Sequence, residues 1–410
     1  MGENISTIPN NGGTEEPGIK CMAFNIGLVM LCLSFQTVTY GGISLFLPVI
    51  LKDLNLNFTQ GGALSASITI IYALMQIPSG YLGDRYGLKK IFFTGVIGTC
   101  VLCLAFGLIT SYWQALLNQA LSGFFRAFMF STGLALLAGW FGPQKRATAM
   151  GFSLIGLFFG ALVMNVLGPW LVSLYNWRFP FIAFSSVGIV TSLVFLFFGG
   201  ERHQATPKQQ IHMADVLQLF RYRFMWVCGV IQYVRLGIMN GIAFWLPSLL
   251  IEEKGFSLEF TGLIIAIRTF MIAPSNILGG YLSDRMRKPV VIIGVSLLVI
   301  AITTTAMVRV GNVAMLITMI LINGAFIQLY FGPLFAAPVE KYGGHMTGTL
   351  TGFGNFFANL GSFTFAYLLG WLKDRTGFFE TGFYFMSFTC IIGIIFAYIL
   401  GRMRQESDKT

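Results

Sequence analysis

The chain is 410 residues long, 55% hydrophobic and only 10% charged, with a formal net charge of +10. At a mean hydropathy of +0.74 it cannot hide its apolar side chains inside a soluble globule, which excludes a soluble enzyme or regulator and leaves a polytopic membrane protein. The basic excess is scattered over short segments and forms no patch, so it argues against a nucleic-acid partner and instead reports topology across a lipid bilayer.

Residues 1–21 are polar, carry no apolar core and read as a cytoplasmic tail with no cleaved signal. Apolar stretches long enough to cross a bilayer follow at 22–51, 60–82, 91–110, 114–141, 147–173 and 178–199, then at 222–251, 259–282, 289–309, 312–336, 344–370 and 379–402. The expected fold is therefore all-α and integral to the membrane, with twelve transmembrane helices. Residues 22–199 are expected to form one six-helix bundle, 200–221 a cytoplasmic linker, 222–402 a second bundle and 403–410 a cytoplasmic tail. Within the linker, Met213 to Phe220 reads as a short amphipathic surface helix. With the amino terminus inside, seventeen of the 26 Lys and Arg residues fall in cytoplasmic segments and six in external ones, which is self-consistent and puts both termini in the cytoplasm. The six cysteines lie in or beside apolar spans, so there is neither a disulfide framework nor a metal-ligand set to read.

One stretch occurs twice. Pro78 to Lys90 reads PSGYLGDRYGLKK and Ile277 to Lys288 reads ILGGYLSDRMRK, so that Asp84-Arg85 and Asp284-Arg285 stand 200 positions apart. The period extends further: Ser44 to Thr59 aligns with Ala243 to Leu258, which implies two repeated halves. The motif resembles the G-x-L-x-D-R-x-G-R-K loop of the major facilitator superfamily of transporters. That resemblance implies alternating access around a central cavity and no enzymatic chemistry. It also implies that Gly80, Asp84, Arg85, Gly87, Asp284 and Arg285 take part in conformational gating on the cytoplasmic side. Two departures stand out: the second copy lacks the glycine after Arg285, and Asn118 stands where the family's fourth span usually has arginine. The fifth span carries Gly156-x-x-x-Gly160, which close helix packing alone explains.

Three basic residues fall at no span end: Arg126, Arg235 and Arg268. At about 1.5 Å per residue each lies on the order of 13–20 Å from a span end, too deep to snorkel. A charge there costs at least ~2.5–3.5 kcal/mol on insertion scales, so each is expected to face a cavity. All sixteen acidic residues fall in tails, loops or span ends, which leaves no fixed mid-membrane partner. The missing anion is then most simply the substrate, because the planar guanidinium fork pairs with carboxylate, phosphate or other oxyanions. Structural arginines capped by backbone carbonyls remain the alternative. None of the three is duplicated in the other half, as an asymmetric substrate would require. Gln36 and Tyr40 in the first span, Gln232 and Tyr233 in the seventh, Gln328 in the tenth, and Asn355 and Asn359 in the eleventh are candidate orienting groups. Each is equally suited to an interhelical contact.

The pattern points to a secondary transporter of a small organic anion, a carboxylate or related acidic metabolite. Arginine-lined sites of this kind resemble those of the superfamily's anion:cation symporters, oxalate/formate exchangers, nitrate carriers and organophosphate antiporters. Because mid-membrane Asp, Glu, His and Lys are all missing, anion exchange is expected, with proton- or sodium-coupled symport of an organic anion or amino acid as the alternative. A multidrug exporter and an anion-binding sensor derived from a transporter are the readings of other classes. The expected protein is a monomer in a plasma membrane, most simply a bacterial inner membrane, without cofactor or metal.

Overall fold

The computed structural model describes residues 19–140, 146–201, 221–286, 289–331 and 347–407, with residues 334, 338 and 341 besides. Among these residues twelve helices of seventeen residues or more follow one another. They are α1 (Ile19–Asp53), α2 (Phe58–Tyr86), α3 (Leu88–Phe106), α4 (Tyr112–Trp140), α5 (Arg146–Leu174) and α6 (Arg178–Phe198). Then come α7 (Arg223–Ser248), α8 (Leu258–Met286), α9 (Pro289–Arg309), α10 (Val313–Leu329), α11 (Thr347–Thr376) and α12 (Glu380–Ser407). Most expected span limits fall within four residues of these helix ends. The ends of the tenth, eleventh and twelfth spans differ more: α10 stops at Leu329, α11 runs on to Thr376 and α12 to Ser407. The amphipathic piece at Met213 to Phe220, the tail at 1–18 and the side chains of Asp84 and Asp284 lie outside the described residues.

Local chemistry explains where the helices begin and end. Asn57 caps α2 by accepting from the Gln60 amide at 2.8 Å, while the Gln60 side chain accepts from the Asn57 amide at 3.0 Å, a reciprocal box that satisfies two otherwise orphaned donors. Asn176 accepts from the Arg178 and Phe179 amides to start α6, and Asn312 accepts from the Met315 amide to start α10. The break between α2 and α3 is a single residue, Gly87, at φ +98°, where any side chain would be strained. Past Pro247, α7 widens into a π-helical turn at Leu249–Glu253.

The helices pack in a pattern that repeats after six. Neighbours α1·α5, α2·α4, α3·α4, α3·α6 and α1·α6 in the first half reappear as α7·α11, α8·α10, α9·α10, α9·α12 and α7·α12 in the second. The repeated motif shows the same symmetry at atomic level: Arg85 donates to the Tyr81 hydroxyl at 3.1 Å, and Arg285 donates to the Tyr281 hydroxyl at 3.1 Å. Within the first half, α1 and α5 touch backbone to backbone. A Cβ on Gly156 would stand 2.6 Å from the Met30 carbonyl oxygen, and one on Gly160 would collide with that of Ser34. The Gly156-x-x-x-Gly160 pair thus does what small residues do between membrane helices.

The halves meet along α2·α11, α5·α8 and α1·α7. An even number of helices places Ile19 and Ser407 on one face, and the closest approaches between halves lie toward the other, here called the distal face. There a Cβ on Gly62 would strike the Ala366 carbonyl oxygen, one on Gly370 that of Phe58, and one on Gly262 that of Asn165. Ser44 Oγ donates across the interface to the carbonyls of Ala243 (2.8 Å) and Phe244 (3.0 Å). Toward the other face the same helices part: a Cβ on Gly80 of α2 or Gly352 of α11 meets nothing among the described residues within 4 Å. Among the described residues the halves are therefore in close backbone contact on the distal side.

Candidate functional site

Helix geometry puts all three arginines deep in the protein. Arg126 stands fourteen residues from each end of α4, about 21 Å along the axis. Arg235 stands twelve and thirteen residues from the ends of α7, and Arg268 ten from the start of α8. Arg235 and Arg268 are 3% and 2% exposed, and Arg126 is partly buried.

Just beneath the distal seal lies a cavity of about 140 Å³ between the halves, lined among others by Tyr40 and Ser44 of α1, Asn165 of α5, Ala243 of α7, and Arg268 and Thr269 of α8. Arg268 is one of the lining residues, and its Nε and Nη2 are buried without a hydrogen-bond partner. Its stem passes Gly324 of α10, where a Cβ would stand 2.8 Å from Arg268 Cγ, so the absence of a side chain at 324 makes room for the arginine. Arg268 thus leaves two buried guanidinium nitrogens without a hydrogen-bond partner beside a largely apolar cavity, and an unsatisfied charged donor is disfavoured until something accepts from it.

Arg126 is held differently. Its guanidinium lies over two rings, Tyr40 at 5.4 Å and Tyr72 at 5.8 Å, and its Nε has no hydrogen-bond partner. Aromatic faces attract a cation without neutralising it, so the net charge stays available. Tyr40 joins the two sites: it packs on Arg126, contacts Ser65 through its hydroxyl at 3.3 Å, and lines the Arg268 cavity. Arg235 has a fuller set of partners. It donates to Gln232 Oε1 at 2.9 Å and Gln328 Oε1 at 3.3 Å, and its guanidinium lies 4.8 Å from the Phe331 ring centroid. Gln328 is one turn beyond Gly324 on α10, so Arg235 and Arg268 approach neighbouring turns of the same helix. Two ion pairs, Arg178–Asp53 (2.8 Å) and Lys373–Glu253 (2.7 Å), lie at helix ends.

The Major Facilitator Superfamily model matches residues 29–365 and 250–410 of this sequence. The chain belongs to the major facilitator superfamily. It is accordingly a membrane transporter and not an enzyme. Over 389 residues it is 23% identical to the hexuronate transporter of Escherichia coli strain K12, covering 87% of this chain and 88% of that protein. Over 387 residues it is 24% identical to the D-galactonate transporter of Escherichia coli O6:H1, covering 85% and 88%. Its fold matches the crystal structure of a bacterial homolog to the human lysosomal transporter Spinster, in an inward-facing and unoccupied conformation. The TM-score is 0.81 at 17% identity over 94% of this chain and 98% of that one, a likeness of fold alone.

Within this superfamily frame the other residues singled out in the sequence divide. Gln232 and Gln328 gather at Arg235, and Tyr40 gathers at Arg126 and the cavity. Gln36, one turn before Tyr40, is buried with its Oε1 lacking a hydrogen-bond partner. Tyr233 instead packs its ring on Phe365 of α11 at 6.0 Å, and Asn359 donates to the Asn355 carbonyl of its own helix at 2.8 Å. Asn118, at the position usual for an arginine, bonds the Leu102 carbonyl of α3 at 2.9 Å. Sequence reasoning missed Tyr72, Asn165 and Phe331. Tyr72 carried a usable signal, since it stands fourteen residues from both ends of α2, at the depth of Arg126.

Proposed function

We propose that this superfamily member carries a small organic anion, a sugar acid of hexuronate size or a related carboxylate, by alternating access and in exchange for a second anion. The observation that carries the reading is Arg268, 2% exposed on a cavity wall with two guanidinium nitrogens unpartnered. A carboxylate entering that cavity would accept from them, while the hydroxyl and amide groups of Ser44, Tyr40 and Asn165 suit the hydroxyls of such a substrate. The hexuronate and D-galactonate relatives support this substrate class, and the absence of a described carboxylate beside Arg126 or Arg268 speaks against a cationic drug.

In this reading Arg126 and Arg235 complete the charge of the path, with Gln36, Gln232, Gln328 and Asn355 as orienting groups. Residues 22–199 and 222–402 rock against each other, and the motif residues Gly80 to Gly87 and Asp284-Arg285 bias the balance of states. With both termini in the cytoplasm of a bacterium, the distal face is external and the described state faces inward. The protein works as a monomer. Exchange follows from electrostatics: an empty site with unpaired positive charge resists dehydration, so the unloaded carrier reorients slowly. The test is equilibrium binding of a hexuronate, D-galactonate, a neutral hexose and a cationic drug to purified protein. Binding of an acid that is lost in Arg268→Gln supports the reading, whereas binding of the neutral or cationic probe alone overturns it.

A further inference from the structure

The distal seal contains a contact that the transport reading does not require and that no repeat symmetry explains. Asp374, near the end of α11, points its carboxylate at the start of α2 in the other half. Oδ1 accepts from the Phe58 amide at 3.0 Å, and Oδ2 accepts from the Thr59 amide at 2.7 Å and from the Thr59 hydroxyl at 2.5 Å. These are the first two amides of α2, positive in the helix field and not used by its own cap, because Asn57 takes the next donor, that of Gln60. We propose that Asp374 is an electrostatic latch that holds the distal gate shut and must release for that face to open.

Three observations make it a latch and not a static cap. First, every one of its bonds crosses between halves that meet through α2·α11. Second, α11 presents it rigidly. The neighbouring Lys373 is paired with Glu253 at 2.7 Å and lies 4.3 Å from the Phe379 ring, while Glu253 also accepts from the Phe379 amide at 2.7 Å. The latch arm is thus braced by an ion pair within its own half, and Lys373 besides lies 5.5 Å from the ring centroid of Phe58, the first residue of the catch. Third, both partners sit at an exposed helix end, so water can take over the Phe58 and Thr59 donors on release and no group is left orphaned. Around the polar contact lies an apolar collar of Phe58 against Trp245 and Phe379, at 6.2 and 5.5 Å between ring centroids. The latch is one-sided: the corresponding end of α5 carries Ser173 and Leu174, and no carboxylate.

The test uses full-length protein in lipid nanodiscs, with no substrate, and follows amide hydrogen exchange by mass spectrometry. Its outcome is independent of the substrate reading. Asp374→Asn is expected to speed exchange at the start of α2 and around Phe244 and Trp245 by about tenfold, the scale of losing one charge-assisted contact. Segments near the opposite face, around Gly80 and Gly352, are expected to become more protected at the same time. Thr59→Val removes only the hydroxyl donor and should shift both faces in the same senses but less, and Asp374→Glu should restore much of the original pattern. Faster exchange on both faces together would mean general destabilisation and overturn the latch, as would an unchanged distal pattern in Asp374→Asn.

Discussion

Replacing Arg268 separates a substrate-binding arginine from a structural one, because the two roles give opposite signs for stability. If Arg268 awaits an anion, the empty protein carries an unsatisfied buried charge, and Arg268→Gln or Arg268→Met should raise its melting temperature. Met also keeps the stem that fills the space at Gly324. Binding should fall at the same time. A charge-assisted hydrogen bond contributes ~1.5–3 kcal/mol. Arg268 has two buried, unpartnered nitrogens, so the joint loss of the bonds they would give a substrate amounts to roughly 3 kcal/mol at the low end, or about a hundredfold in Kd. Thermal unfolding with and without hexuronate or D-galactonate reads both effects: a higher melting point for the empty variant and a lost ligand-induced shift. A lower melting point with undiminished ligand response would refute the reasoning and make Arg268 a structural residue.

Other consequences follow from the geometry. Tyr72→Leu should weaken anion binding several-fold through misplacement of Arg126, while Tyr72→Phe, which keeps the ring beneath the guanidinium, should bind nearly normally; titration of both variants checks this. Gly160→Val should sharply lower the yield of folded protein, measured by size-exclusion chromatography, because the added side chain meets the Ser34 backbone and cannot be accommodated by a rotamer change. Gly87→Val forces a β-branched residue into φ +98° and should slow transport or destabilise the α2–α3 turn, whereas Gly80→Ala, with open space around it in the described state, should leave melting unchanged.

Much of the fold was legible because hydrocarbon thickness sets span length and the membrane forbids irregular backbone within it. The twelve helices, the repeat at Asp84-Arg85 and Asp284-Arg285 and the close α1·α5 approach at Gly156 and Gly160 all express that constraint. The depth of Arg126, Arg235 and Arg268 was legible for the same reason, since charge is conspicuous in an apolar span. Their surroundings were not. Tyr72 and Phe331 are two among many aromatic residues, and only the packing of α2 on α4 and of α10 near α7 makes them arginine partners. Asp374 looked like an ordinary charge at a span end, because its catch on α2 lies more than 300 positions away in sequence.

The most direct test of the account is counterflow in proteoliposomes. Purified protein is reconstituted, and uptake of labelled hexuronate or D-galactonate is compared between vesicles preloaded with the unlabelled acid and empty vesicles. The account predicts uptake well above the empty-vesicle rate when the interior holds anion, and loss of that stimulation in Arg268→Gln. Equal rates in loaded and empty vesicles, with uptake driven by an imposed pH gradient and a fully ionised substrate, would contradict exchange and require a proton site elsewhere in the chain.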